Sequence, residues 1–240
     1  MMELAKDCID VGIFTNHIEE MRDFYTNRVK LPYEELLPVG AGVKQHRYGL
    51  MGSVLKLNEI RDLLSPRTEG GYKRLVISDR RTPMPFIMAD PDGNEVYLVP
   101  SGHYGVEQIG VILGVTDPDA FDRFYVDALG CERIAPHRYR IGKSVLAVEH
   151  DPRARRAEKA SAKDAMEVVG AMRAVGIRYI TVQVRNCNAE HKRFMDAGVW
   201  EGAPPVTLGD VARICFIRDP DGNWIEISQR ASLTGPLPKD

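Results

Sequence analysis

A short turn motif occurs twice in this sequence and constrains the fold more than any other feature. Residues Asp90–Asn94 and Asp219–Asn223 both read Asp-Pro-Asp-Gly-Asn. Proline fixes its own φ, glycine accepts a positive φ, and Asp and Asn side chains bond nearby backbone groups, so this motif is typical of a tight turn. An apolar, alternating segment follows each copy. Each turn with its flanks is therefore predicted to form a β-hairpin.

The two hairpins differ at one position. After the second turn, Trp224 and Glu226 are predicted to point to one face of the strand, whereas Ile225 and Ile227 point to the other. A carboxylate within a short apolar strand is costly unless it is solvated, paired or bound to a metal. The first copy has Tyr97 at the matching position. Glu226 is therefore the first candidate functional residue, and a solvated carboxylate on an edge strand is the alternative.

The pattern of strands and helices also repeats along the chain. A strand at 8–15 precedes a helix at 18–30, and a strand at 107–115 precedes a second helix that ends at Gly130. Phe124-Tyr125 in the second helix repeats Phe24-Tyr25 in the first. Further strands are predicted at 43–48, 53–57, 73–78, 85–89, 95–99, 137–141, 144–148, 178–184, 211–217 and 224–228, and further helices at 161–175 and 189–197.

These elements predict an α+β chain of four strand–helix–strand–strand(–strand) units in two pairs. Residues 1–100 form the first pair, whose second unit is truncated because no helix fits between Ser78 and Pro85. Residues 101–105 form a linker, residues 106–230 the second pair, and residues 231–240 a tail.

Composition excludes several classes of function. The formal net charge is −2 and there is no basic stripe with interleaved aromatic residues, so nucleic acid is not an expected partner. There is no apolar run of the length that spans a membrane, about 20 residues. The four cysteines are scattered without a C-x-x-C pair, which argues against a zinc knuckle or a disulfide framework and favours the cytoplasm. No nucleophile elbow, P-loop or dinucleotide fingerprint occurs.

Paired βαβββ units, with Phe-Tyr on the helix and a D-P-D-G-N-x-x-E hairpin at the end, resemble the vicinal oxygen chelate superfamily. This superfamily includes glyoxalases, bleomycin-resistance proteins and extradiol dioxygenases. The resemblance covers nearly the whole chain and rests on Asp219–Glu226 together with Gln108–Gly130. It implies tandem modules that form two cupped mixed β-sheets, with the helices outside and a site inside the cup.

The resemblance also implies positions for metal ligands, on the first strand of each module and the last strand of the second. In the second pair these positions are Gln108, Tyr179 and Glu226. In the first pair they are Asp10, Arg74 and Tyr97, a set expected to bind no metal. Both sets depart from the common two-histidine, one-carboxylate arrangement, and tyrosine is a good ligand only as the phenolate. One divalent ion (Fe, Mn, Ni or Zn) and a metal-free site therefore both stay open.

Two functions follow from the resemblance. The first is a metal-dependent lyase or ring-cleaving dioxygenase that acts on a small vicinal-oxygen or aromatic substrate, with Glu226 as a ligand and Tyr179 as a weak ligand or acid/base. The alternative is a metal-free protein that sequesters a small molecule. The residues expected to contact substrate are Thr181, Gln183, Arg213 and Ser228. A subunit with filled cups and no ligand is a third possibility, and a homodimer is compatible with the pairing of modules between chains that the family shows.

Overall fold

The computed structural model describes residues 2–40 and 42–238, whose strands form two mixed β-sheets of eight and seven strands. This arrangement confirms the predicted fold class. None of the helices in the described residues has the length and apolar composition of a transmembrane helix.

The first unit has one helix between its first and second strands. Its elements are β1 (Asp10–Thr15), α1 (Ile18–Asp23), β2 (Tyr33–Pro38), β3 (Val43–Leu50) and β4 (Ser53–Ile60). α1 continues as a π-helical turn over Phe24–Arg28. Met21, Phe24 and Tyr25 are buried, as the spacing of this apolar stripe predicts.

The second unit consists of strands alone: β5 (Gly71–Ser78), β6 (Phe86–Ala89) and β7 (Glu95–Val99). No helix lies within residues 71–99, all of which the structure describes. The first Asp-Pro-Asp-Gly-Asn turn joins β6 to β7. The side chain of Asp90 accepts a hydrogen bond from the backbone N–H of Asn94 at 2.8 Å, and Gly93 has a φ of 79°. The turn therefore depends on its first and fourth residues for the reasons that predicted it.

The third unit repeats the order of the first. Its elements are β8 (Ile109–Val115), α2 (Pro118–Asp122), β9 (Glu132–Ala135), β10 (Arg138–Ile141) and β11 (Ser144–His150). Asp117 caps α2 by accepting from the backbone N–H of Asp119, and a π-helical turn over Arg123–Ala128 follows.

A long connection that contains α3 (Ala165–Ala171) leads to the fourth unit. The fourth unit comprises β12 (Gly176–Gln183), α4 (Cys187–Asp196), β13 (Trp200–Leu208), β14 (Ala212–Arg218), β15 (Trp224–Arg230) and α5 (Ala231–Thr234). The second Asp-Pro-Asp-Gly-Asn turn joins β14 to β15, and Asp219 accepts from the backbone N–H of Asn223 at 2.8 Å. Both predicted hairpins are thus confirmed.

The units pair in a nested order. The eight-stranded sheet runs β13-β14-β15-β12-β1-β4-β3-β2 and therefore joins the first unit to the fourth; the seven-stranded sheet runs β6-β7-β5-β8-β11-β10-β9 and joins the second to the third. At the two junctions Asp10 faces Thr181, and Gly110 faces Val76. The expected pairs, 1–100 and 106–230, therefore do not each form a sheet. The first strands of all four units are similarly apolar, so their patterns do not specify which one pairs with which.

The main hydrophobic core lies on one face of each sheet and takes in the helices. Val11 and Ile13 of β1 point into it, and so do Ile225 and Ile227 of β15. Residues in alternate positions, such as Asp10, point to the opposite face of the sheet. This second face of each sheet is the one on which the resemblance implies a site.

Candidate functional site

Four charged or polar side chains meet at the centre of the second face of the eight-stranded sheet. They come from the first and last strands of the two paired units: Asp10 on β1, Lys56 on β4, Thr181 on β12 and Glu226 on β15. The register places Thr181 directly opposite both Asp10 and Glu226. We call these four residues the charged cluster.

Lys56 donates hydrogen bonds to two other members of the charged cluster. Its ammonium group donates to the hydroxyl oxygen of Thr181 at 2.6 Å and to Oε2 of Glu226 at 3.1 Å. The hydroxyl of Thr181 donates in turn to the same Glu226 oxygen at 2.6 Å. Lys56 is 4% exposed, whereas the side chain of Glu226 keeps 14% of its exposure. The ion pair is therefore buried at its cationic end and reached by solvent at its anionic end.

Asp10 has its own set of partners. Its carboxylate accepts from the ammonium group of Lys6 at 2.6 Å, from the backbone N–H of Val54 at 2.8 Å and from the amide of Gln183 at 3.3 Å. Asp10 is 1% exposed. Each carboxylate of the charged cluster thus already has one lysine as its counter-ion.

The protonation states of Lys56 and Tyr179 follow from this environment. Burial acts to lower the pKa of Lys56, but Glu226 and then Tyr179 and Asp10 raise it, and the net shift is upward. The ammonium also lies 5.3 Å from the centre of the Tyr179 ring. Burial raises the pKa of Tyr179, so its phenol is neutral at physiological pH.

These groups do not fit a divalent metal ion. A metal at the centre of the charged cluster would have to displace the Lys56 ammonium from Glu226. Two lysines already neutralise the two carboxylates, and a neutral phenol at Tyr179 is a poor ligand. The charge balance that a divalent ion would supply is provided by the protein's own side chains.

The predicted metal set is not brought together. Gln108 precedes β8 in the seven-stranded sheet, where its amide donates to the backbone oxygen of Met51 and accepts from the hydroxyl of Ser144 at 3.3 Å. Tyr179 and Glu226 lie in the other sheet. The separation arises because the third unit pairs with the second and not with the fourth. The register also aligns Gly110, and not Gln108, with Asp10.

The residues predicted to contact substrate divide into two groups. Thr181, Gln183 and Ser228 share one face with Glu226, as predicted, and each is at most 2% exposed. Arg213 points to the opposite face, where it donates to the side chain of Asn188 at 2.6 Å. Arg213 is adjacent in β14 to Ile214, whose side chain lies on the same face of the sheet as the charged cluster. Successive side chains of a strand point to opposite faces, so Arg213 points away from the cluster. The roles of Thr181, Gln183 and Ser228 in binding stay predictions.

Lys56 is the central residue that the sequence alone did not reveal. A signal was present, because a lysine interrupts the apolar segment Val54–Leu57 in the middle of a strand. A cation at a buried strand position requires a partner, and Glu226 is a carboxylate at an equivalent place in the last strand that needs one too.

Apolar side chains fill the rest of this face. The set combines α3 and its flanks with residues of five strands and includes Phe14, Ile60, Ala162, Val168, Met172, Ala203, Ile214, Phe216 and Trp224. The connection between the third and fourth units therefore covers the eight-stranded sheet beside the charged cluster.

The second face of the seven-stranded sheet has a different centre. Its four equivalent positions are Gly110 on β8, Ala147 on β11, Val76 on β5 and Tyr97 on β7. These side chains carry no charge and three of them are small, which leaves a cavity of about 300 Å³. The cavity is also lined by Arg74, Tyr104, Val106, Ile112, His137, Arg138, Val145 and Glu149.

The two arginines of this cavity differ in their partners. Arg74 forms ion pairs with Glu95 and, at 2.8 Å, with Glu149. Arg138 has no carboxylate within ion-pair distance in the part of the chain that the structure describes. Its guanidinium lies 4.7 Å from the centre of the Tyr104 ring. One positive charge at the cavity is therefore held by an aromatic ring and is free of a counter-ion.

Another group of side chains offers three metal-ligand atoms within 4.8 Å of one another: Asp119, Asp122 and His137. Asp122 already accepts from the hydroxyl of Tyr139 at 2.7 Å and from the guanidinium of Arg133. This group lies at the edge of the third unit and is distinct from the charged cluster.

The chain is similar to known proteins in sequence and in fold. Residues 103–227 match the family described as Glyoxalase/Bleomycin resistance protein/Dioxygenase superfamily. No curated protein sequence matches the chain. Glyoxalase I from Zea mays is 13% identical with a TM-score of 0.67, over 95% of this chain and 92% of that one. A putative dioxygenase from Bacillus subtilis is 15% identical with a TM-score of 0.64, over 95% and 85%. At such identities the structures show the fold alone.

Proposed function

This chain belongs to the glyoxalase/bleomycin resistance protein/dioxygenase superfamily, and on that premise we propose that it binds a small organic molecule without a metal, in the cavity of the seven-stranded sheet. The observation that carries this proposal is the contrast between the two faces. At the centre of the eight-stranded sheet, Lys56 and Glu226 form an ion pair. At the centre of the seven-stranded sheet, small and apolar residues surround a cavity.

The cavity suits a flat, largely apolar ligand. The cavity is lined by the aliphatic side chains of Val76, Ile112 and Val145 and by the aromatic rings of Tyr97 and Tyr104. Ligand pockets are commonly about 300–1,000 Å³ and mostly apolar, with a few polar groups that set orientation. A volume of about 300 Å³ is at the lower end of that range and fits a molecule of one or two rings.

The charge of the cavity suits an anionic substituent on that ligand. Of the two arginines that line the cavity, Arg138 has no carboxylate partner among the described residues, and a guanidinium binds a carboxylate through two parallel hydrogen bonds. Tyr104 and His137, which flank it, both have a positive φ (54° and 56°). Such backbone is uncommon outside glycine and clusters at functional sites, which supports a binding role for this wall.

The test is a binding assay in buffer that contains a chelator. A panel of aromatic carboxylates (benzoate, salicylate, 1-naphthoate and indole-3-acetate) would be compared with the matching neutral amides by thermal shift and calorimetry. We expect saturable stabilisation by at least one carboxylate. Arg138→Gln should weaken the binding of that carboxylate about tenfold or more, because it removes a charged hydrogen bond, and should leave the binding of the amide unchanged.

A pair of small-to-large variants controls for the location of binding. Ala147→Phe would fill the cavity and abolish binding, whereas Ala197→Phe, at an exposed position after α4, should bind as the wild type does. The proposal fails if no carboxylate binds, or if Ala147→Phe binds normally.

A metal-dependent lyase or dioxygenase is the competing function within this superfamily. It would use Glu226, whose side chain keeps 14% exposure, with Tyr179 as acid or base. Protein purified without chelator that retains stoichiometric Fe, Mn, Ni or Zn, and loses it in Glu226→Ala, would favour that function over the one proposed.

A further inference from the structure

A cleft lies where the first residues of β5 and β12 meet the second Asp-Pro-Asp-Gly-Asn turn. Its volume is about 380 Å³. Among the described residues, four arginines line it, and the acidic residues on its walls are Glu69 and Asp221. The arginines are Arg155, Arg156, Arg178 and Arg218. Since the whole chain has a formal net charge of −2, so many arginines in one cleft are a local concentration of positive charge.

Three of these arginines have no carboxylate within ion-pair distance among the described residues. Arg178 donates to the backbone oxygen of Met172 at 3.2 Å and to the hydroxyl of Thr68 at 2.9 Å. Arg155 donates through Nη1 to the backbone oxygens of Pro152 and Ala154. All these acceptors are neutral, so they orient the guanidinium groups without cancelling their charge.

Arg218 is held between two aromatic rings. Its guanidinium lies 4.2 Å from the centre of the Trp200 ring and 4.3 Å from that of Trp224. Its Nε donates to the backbone oxygen of Gly222 at 2.8 Å. Two aromatic faces and a backbone bond thus fix the plane of a cation that faces the cleft.

The acidic residues near the cleft are already engaged. Asp221 accepts from the backbone N–H and the hydroxyl of Thr116, at 2.7 and 2.5 Å, and Arg156 lies 3.6 Å from it. Glu69 pairs with Arg153 at 3.3 Å. The charge of the remaining arginines is therefore not neutralised by the walls.

Electrostatics agree with this arrangement. Burial, and then repulsion from Arg218 and Arg67, lower the pKa of Arg178. Arg67 itself donates to two backbone oxygens, those of Gly93 and Lys73. An anion bound in the cleft would reduce the repulsion between these guanidinium groups.

From the unneutralised arginines, we infer that the cleft binds the phosphate group of a small phosphorylated molecule. A guanidinium presents parallel N–H donors that match a phosphate, and the Nη2 groups of Arg155, Arg178 and Arg218 are not used by any bond described above. A recess of about 380 Å³ accommodates a small phosphate ester and not a polymer backbone running along a surface. This site is separate from the cavity of the seven-stranded sheet and does not depend on the function proposed for it.

The two tryptophans provide a direct readout. They are the only two in the chain, and both stack on Arg218, so tryptophan fluorescence excited selectively, at a wavelength where tyrosine hardly absorbs, reports on this cleft. The full-length protein would be titrated with inorganic pyrophosphate at constant ionic strength, with chloride as the reference anion. We expect a saturable change in fluorescence with a dissociation constant below about 1 mM, confirmed by calorimetry.

Variants locate the binding site. Arg155→Gln and Arg178→Gln should each weaken pyrophosphate binding about tenfold, because each removes one charged hydrogen bond. Arg155 is exposed, so its replacement should leave folding intact even if that of Arg178 does not. The control is Arg123→Gln, at an exposed position beyond α2, which should bind as the wild type does.

Three results would overturn the inference. One is the absence of saturable pyrophosphate binding by the wild type. A second is unchanged binding by Arg155→Gln together with unchanged binding by a folded Arg178→Gln. The third is binding of a single-stranded RNA oligonucleotide with no binding of pyrophosphate, which would assign the arginines to a different class of partner.

Discussion

Replacement of Lys56 by methionine tests whether its ammonium holds the charged cluster together. Methionine keeps most of the apolar stem and removes the charge. Breaking a buried ion pair by removing one partner typically costs about 3–5 kcal/mol, because the remaining charge stays desolvated. Since the side chain of Glu226 is 14% exposed, water can solvate part of its carboxylate. We therefore expect Lys56→Met to lower the free energy of unfolding by about 3 kcal/mol, near the lower end of that range.

The measurement is urea denaturation at neutral pH, followed by circular dichroism. The double variant Lys56→Met/Glu226→Gln removes both charges, so it should recover most of the loss, to within about 1 kcal/mol of the wild type. Lys192→Met is the matched control, because Lys192 pairs with Asp196 at 2.6 Å on the surface and its loss should cost less than about 1 kcal/mol.

The reasoning would be refuted if Lys56→Met were as stable as Lys192→Met. It would also be refuted if the second substitution at Glu226 added to the loss. Either result would mean that the ammonium does not neutralise the carboxylate in the folded protein.

Two further predictions concern packing and protonation. Gly12→Ala should lower the free energy of unfolding by about 1–3 kcal/mol, because a Cβ would lie 2.0 Å from the Tyr179 ring. Gly170→Ala should raise the free energy of unfolding by up to about 1 kcal/mol, because a Cβ there would have no atom within 4 Å. Equal effects of the two substitutions in urea denaturation would contradict this prediction. Burial raises the pKa of Asp219 to about 7. The folded state then holds a proton that the unfolded state releases near pH 4, so this group's contribution to stability falls as the pH rises from about 4 to about 7. A carboxyl carbon of Asp219 that titrates near pH 4 by NMR would exclude the shift.

Much of the secondary structure could be predicted from the sequence. The paired turns, the apolar stripes of α1 and α2 and the alternation in β12 and β15 are local signals, and the observed elements lie within a few residues of the predicted ones. β2, β9 and β13 were not predicted individually. β2 is mostly exposed and ends at Pro38, and β13 contains Pro204 and Pro205, so these strands lie at or near sheet edges and lack the apolar alternation that marks a strand.

The composition of each sheet could not be predicted, and this limited the site. Glu226 and Tyr179 were placed on one face because alternation is a local property. The place of Gln108 beside them is implied by the family resemblance and requires the third and fourth units to share a sheet, which they do not. Lys56 was missed because its counter-charge, Glu226, comes from the fourth unit, and the two meet only when β1 lies between β4 and β12. The residues of one site are thus set by which strand edges meet, which the pattern of a single strand does not encode.

The nested pairing has a consequence for the growing polypeptide. β1 lies between β4, which is nearby in the chain, and β12, which begins only at Gly176. As the chain leaves the ribosome, the second and third units can complete their sheet while one edge of β1 still has no partner. An unpaired edge with apolar side chains is a template for aggregation. Release of the fourth unit closes that edge, so the C-terminal part of the chain acts during synthesis as the segment that protects the N-terminal part.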